Sequence, residues 1–139
     1  MDNYNKHYDI NFEEDVKRGM VGENAHRAFL SGTHEVKTDY KSAKYGNFYI
    51  ETTQYNVNGE WPSGINVTTA NHWVFASPFG HGGITVPTEL VKTIIAKENL
   101  EQTRQPVHNE HTNASTGLKL PVATLLRYMG YGDYLHKEQ

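Results

Sequence analysis

The chain reads as a single α/β (α+β) domain, a small mixed β-sheet flanked by helices. Three observations predict it: a helical apolar stripe near the start, two alternating segments after it, and a second group of short strands leading into another striped helix. At 139 residues there is room for one core of ordinary size and not for two.

Residues 1–11 form a polar arm. From Asp15 to Leu30, apolar residues at Val16, Met20, Val21, Ala25, Ala28 and Phe29 recur at steps of three and four, which is helical spacing. Gly19 and Gly22 lower the intrinsic propensity, so packing must hold this helix, and Ser31-Gly32 ends it. In 35–39 and 47–52 charged or polar residues alternate with apolar or β-branched ones, the pattern of half-buried strands; Tyr40–Gly46 between them reads as a hairpin loop. Asn58-Gly59 and Pro62-Ser63-Gly64 mark a loop, and residues 68–72 a short helix. His72–Ser77 and Gly83–Val86 read as strands. Pro87 suits a first helical turn, with Leu90, Val91, Ile94 and Ile95 as the stripe that follows. The polar stretch 101–117 reads as a long surface loop and Pro121–Met129 as a closing helix. The expected layout is an arm (1–11), a core (12–99) and a C-terminal loop-and-helix extension (100–139).

Composition narrows the function. There are no cysteines, which excludes disulfides, thiolate nucleophiles and Cys-type zinc sites. An apolar share of 37% supports a packed core, and a net charge of −3 is not that of a strongly basic nucleic-acid binder, so any nucleic-acid contact must use a local patch. The polar start shows no signal peptide and no apolar run reaches membrane-spanning length, which predicts a cytoplasmic protein with no membrane partner. His108, Glu110 and His111 lack the i,i+4 histidine spacing of a helical zinc motif and read as polar loop.

The most informative segment is 35–51. Side chains alternate across a strand, so Glu35, Lys37 and Asp39 share one face and Val36 and Thr38 the other. A hairpin centred near Ala43 would set residue 35 opposite 51, 37 opposite 49 and 39 opposite 47. Three carboxylates and a lysine then gather on one face, with Phe48 and Ile50 beside Val36 and Thr38 in the core. Glu35 and Glu51 would repel each other unless neutralised. Mg²⁺ prefers carboxylate and water oxygens and would do so. Alternating charge on the outer face of a hairpin is also a common solvated surface, and pattern alone leaves both readings open.

Gly22-Glu23 on a helix, Glu35-Val36-Lys37-Thr38-Asp39 and Gly46-Asn47-Phe48-Tyr49-Ile50-Glu51, followed by Ser63-Gly64-Ile65 and Ala70-Asn71-His72-Trp73, resemble the PD-(D/E)XK nuclease superfamily, and within it small nucleases encoded by bacteriophages. The resemblance covers roughly residues 12–95. It implies a restriction-endonuclease-like core and a hydrolase cutting phosphodiester bonds in DNA with Mg²⁺ (or Mn²⁺), in the cytoplasm of a bacterial host if phage-encoded. Glu23, Glu35, Asp39 and Glu51 would be metal ligands and Lys37 the catalytic cation; Lys41, Lys44 and Tyr49 would contact substrate, and a homodimer is compatible. The superfamily places a lysine two positions after its last acid, and here that position holds Thr53. Lys37 is the expected replacement, Gln54 a weaker one. Trp73 reads as a core residue. The alternative is a catalytically inactive nuclease fold serving as a DNA-binding or phage accessory module.

Overall fold

The structure is a computed structural model that describes residues 13–24, 27, 31–38 and 44–131. The chain divides into two compact units, Met1–Gly32 and Thr33–Gln139. In the first, residues 13–24 are helical, as the apolar spacing predicts.

The second unit is a mixed α+β fold. Its elements run β1 (His34–Thr38), β2 (Asn47–Asn56), β3 (Gly59–Pro62), a 3₁₀ turn (Gly64–Asn66), β4 (His72–Ala76), β5 (Gly83–Pro87), α1 (Thr88–Lys97), β6 (Glu101–Arg104), β7 (Ala114–Pro121) and α2 (Val122–Tyr128). They form two sheets, a three-stranded one in the order β1-β4-β5 and a four-stranded one in the order β3-β2-β7-β6. The first is mixed, with β1 parallel to β4 and β4 antiparallel to β5; the second is antiparallel throughout.

Local chemistry sets the parallel register of β1. The Thr33 amide and hydroxyl donate to Asn71 Oδ1 at 3.3 and 3.1 Å, and the Asn71 amide donates to Thr33 Oγ1 at 3.0 Å. The His72 amide donates to the Thr33 carbonyl at 2.9 Å, and the His34 and His72 rings stack at 5.0 Å. The two strands are thus clamped where both begin. Each strand-to-helix junction is a proline: Pro87 (φ −58°, ψ 137°) precedes α1 and Pro121 (φ −60°, ψ 136°) precedes α2. Proline fixes φ and gives up a donor that the first helical turn would leave unpaired. The Thr88 hydroxyl then donates to the Ala70 carbonyl at 2.7 Å and the Val122 amide to the Gly46 carbonyl at 3.0 Å, tying both helices to the loops below.

The core draws on every layer of this unit. Ile50, Trp73, Val86, Val91, Ile94, Leu120 and Leu125 are fully buried, and Phe48 stacks on Phe75 at 4.4 Å. Trp73 is a core residue, as its sequence context predicts. At the far end of α1, Arg127 and Tyr128 of α2 both donate to Glu98, the latter at 3.0 Å, which pins the two helices together.

Several expectations fail, each for a physical reason. The 35–51 segment is not a hairpin: β1 pairs with β4, and β2 pairs with β7 and β3 in the other sheet. The hairpin register would have set Glu35 against Glu51, a like-charge pair; in the fold Glu35 is opposite Trp73 and Glu51 opposite Gly117. Phe48 and Ile50 find their apolar partners in Leu120 and Leu118. The polar stretch 101–117, expected as loop, holds β6 and the start of β7, and β7 is an interior strand of its sheet. Residues 100–131 are therefore no appendage, since Leu120 and Leu125 complete the core. Gly59–Pro62, expected as loop, is a strand, and the short helix expected at 68–72 is instead a 3₁₀ turn at Gly64–Asn66.

Candidate functional site

β1 presents its charged side chains inward. Strand partners in register share a face, and Glu35 and Lys37 are partnered by Trp73 and Phe75, both buried. Val36, expected in the core, points the other way and is 60% exposed. The Lys37 ammonium lies 2.8 Å from Glu35 Oε1, and the two side chains are only 35% and 39% exposed. Lys37 also stands 5.5 Å over the Trp73 indole ring, so its stem covers the core while its charge meets the carboxylate.

Glu35 opens onto a cleft of about 460 Å³ that it lines with Thr33, His34, Gly64, Thr68 and Thr69 among others. Gly64 joins this cleft to the second acidic residue. Its backbone has φ +55°, and a Cβ built there would sit 2.1 Å from the Glu51 carbonyl oxygen and 2.8 Å from the Glu51 Cβ. Only glycine lets the Ser63–Asn66 loop lie this close to β2. The loop is fastened there: the Ser63 amide and the Asn66 side-chain amide both donate to the Thr52 carbonyl, at 3.0 and 2.9 Å.

That fastening coincides with a β-bulge. The β2–β7 register shifts between Glu51 and Thr53, so that Glu51 is opposite Gly117 and Thr53 opposite Thr116. The extra residue, Thr52, reverses the alternation. Thr53, which two-residue spacing would put beside Glu51, turns inward with its hydroxyl buried, and Gln54 takes its place, its amide 3.4 Å from Glu51 Oε2. Gln54, and not Thr53, thus stands beside the Glu51 carboxylate. Thr53→Lys should consequently lower stability by about 2 kcal/mol, whereas Gln54→Lys, on the open face, should change it by less than about 0.5 kcal/mol. Urea melts of the two variants measure the difference.

The remaining candidates fall elsewhere. Tyr49 lies across Gly117, where a Cβ would be 2.5 Å from its ring, and its hydroxyl shares a 2.6 Å hydrogen bond with Ser115, so it braces the four-stranded sheet. Lys44 lines a different pocket, at the other end of β4. Glu23 is in the helical segment of the first unit. Asp39 and Lys41 lie outside the described residues. His108 and His111 sit in an irregular polar stretch, with His111 3.5 Å from Glu110, in keeping with a loop. Sequence reasoning named Gln54 only as a weaker substitute for the absent lysine and quoted Gly64 without a role. The bulge that recruits Gln54 leaves no mark in a single sequence, but the Pro-Ser-Gly triplet did signal a turn.

Among the described residues no three His, Asp or Glu side chains come together as a metal-binding group. The cleft is nonetheless lined by side chains that carry hard oxygen, the Glu35 carboxylate and the hydroxyls of Thr33, Thr68 and Thr69. This fits a Mg²⁺ ion held by one or two carboxylates and completed by water and substrate, which is how Mg²⁺ is usually bound, and not a closed protein cage. Buried polar atoms lie nearby too. Trp73 Nε1, on the residue partnering Glu35, and Ser63 Oγ, beside Gly64, have no hydrogen-bond partner among the described residues.

The fold defines the chain as an α+β protein, two small sheets with helices against them. No family model, no curated protein and no solved structure matches it. Among the described residues no helix is long and apolar enough to cross a membrane.

Proposed function

We propose that this protein is a metal-dependent nuclease that hydrolyses phosphodiester bonds in DNA at the Glu35 cleft. The observation that carries the reading is the Glu35–Lys37 pair, held at 2.8 Å on β1 beside a cleft whose Gly64 packs against the main chain of Glu51. Two charges partly covered on a short strand bear some desolvation cost that a fully solvated surface pair avoids.

In this reading Glu35 would hold the cation, with Glu51 as the second carboxylate. A divalent ion supplies charge neutralisation at the scissile phosphate and lowers the pKa of an attacking water. Lys37 places its ammonium against the phosphoryl oxygens as negative charge grows on them, which is worth most in a partly dry site. Trp73 beneath its stem and Glu35 beside its head restrict where that ammonium goes. Gln54 orients the Glu51 carboxylate.

A second reading, a DNA-binding module without hydrolytic activity, is favoured by the same pair: Glu35 is already neutralised by Lys37 and needs no metal for charge balance. One experiment separates them. Plasmid and single-stranded DNA are incubated with the protein in Mg²⁺, in Mn²⁺ and in EDTA, beside Glu35→Gln and Glu51→Gln. The nuclease reading expects metal-dependent cleavage that each substitution lowers at least about a hundredfold. DNA binding without cleavage by the wild type under all conditions selects the second reading.

A further inference from the structure

A larger pocket, of about 750 Å³, opens at the opposite end of the three-stranded sheet from the Glu35 cleft. Its walls are aromatic: Phe48 and Phe75, stacked on each other at 4.4 Å with their planes 17° apart, and Phe79, which is 77% exposed, with Ile84 closing the side. Two groups able to carry positive charge stand at it, Lys44 and His81. Lys44 makes no ion pair among the described residues; its ammonium lies 5.9 Å from the ring of Tyr45. The glycines of the β4–β5 connection leave the space open, since a Cβ at Gly80 or Gly82 would meet nothing within 4 Å, while Gly83 packs against the Phe75 carbonyl.

These features specify the occupant. The exposed Phe79 ring, beside the stacked Phe48 and Phe75, favours a flat partner over a flexible chain, because stacking uses a whole ring face. An ammonium with no ion pair among the described residues, standing beside it, favours an anion joined to that flat group. We propose that the pocket holds one unstacked nucleobase, with its adjoining phosphate on Lys44. The proposal rests on the DNA reading above and names what the site would engage: single-stranded or locally melted DNA. Spacing agrees with it. Glu35 is opposite Trp73 and Lys37 opposite Phe75, so cleft and pocket lie two or three residues apart along β1 and β4, about 7–10 Å. A base held at one end leaves a neighbouring phosphate within reach of Lys37. The same chemistry, a planar heterocycle bearing a phosphate, also describes a free mononucleotide.

The test works without metal. A single-stranded oligonucleotide carrying one 2-aminopurine is titrated with the full chain in EDTA, reading fluorescence, against wild type, Phe79→Ala, Phe79→Tyr and Lys44→Ala. Phe79 is exposed, so its replacement leaves the core intact, which circular dichroism verifies. The expected result is quenched emission on binding. Affinity should fall about tenfold for Phe79→Ala and be kept by Phe79→Tyr. For Lys44→Ala the dependence of log affinity on log salt should flatten by about one unit. Competition by deoxyadenosine monophosphate at equal base concentration assigns the pocket to free nucleotides; competition by oligonucleotide alone assigns it to a strand. The proposal is overturned if neither ligand binds, if Phe79→Ala and Lys44→Ala bind like wild type, or if decanoate displaces the oligonucleotide and the mononucleotide does not. Failure of the nuclease reading looks different: the aminopurine strand binds through Phe79 and Lys44, yet Mg²⁺ never leads to cleavage.

Discussion

Gly64→Ala is expected to lower the stability of the protein by about 3 kcal/mol or more. Two costs combine. The residue has φ +55°, a region where a side chain costs on the order of 1–3 kcal/mol. The new methyl would also sit 2.1 Å from the Glu51 carbonyl oxygen and 2.7 Å from its carbonyl carbon, both main-chain atoms with little freedom to withdraw, and overpacking of this kind costs about 1–3 kcal/mol. Relief requires the Ser63–Asn66 loop to lift from β2, which breaks the two hydrogen bonds to the Thr52 carbonyl. Gly80→Ala is the control. It has φ +75° and an open surrounding, so only the backbone cost applies and the loss should be about 1 kcal/mol. Urea denaturation of the two variants, with unchanged m-values, makes the comparison. Equal losses would mean that the close approach of Gly64 to Glu51 does not exist in solution.

Lys37→Met should cut DNA cleavage by about 10²–10³-fold under the proposed reading. Methionine keeps an unbranched stem over Trp73 and removes only the charge, so the fold should persist. Metal binding should persist as well, because Glu35 loses a competitor 2.8 Å away. The Mg²⁺-induced rise in Tm, which reports binding to the folded state, should be at least as large in the variant as in wild type. Cleavage at the wild-type rate would remove Lys37 from the mechanism. Loss of both cleavage and the metal-induced rise would make Lys37 a structural partner of Glu35.

What the sequence revealed about this fold followed period and punctuation. β1, β4, β5 and both C-terminal helices were legible because alternation, helical stripes and the prolines at 87 and 121 are local signals. The strands β6 and β7 were not. In Glu101–Arg104 every residue is polar, and in Ala114–Pro121 the small and polar residues Ser115, Thr116 and Gly117 hide a strand that is buried because it is interior. Pairing was the larger failure. Adjacency along the chain favoured a β1–β2 hairpin, while the contacts that decide otherwise, Asn71 with Thr33 and Leu118 with Ile50, come from distant segments. The inward pair Glu35–Lys37 was found as a motif but assigned to the wrong face, since Val36 looks like the buried member of the alternation and is not.

The interior position of β7 has a kinetic consequence. Tyr49 and Ser115, joined across β2 and β7, are 66 residues apart in sequence. During synthesis β2 must wait with Phe48 and Ile50 uncovered until Leu118 and Leu120 have left the ribosome, and little of the four-stranded sheet can form before then. Closing so long a loop is slow, and an unpaired apolar strand is a site for association with other chains. The four-stranded sheet should therefore acquire its protease resistance late, when β7 arrives.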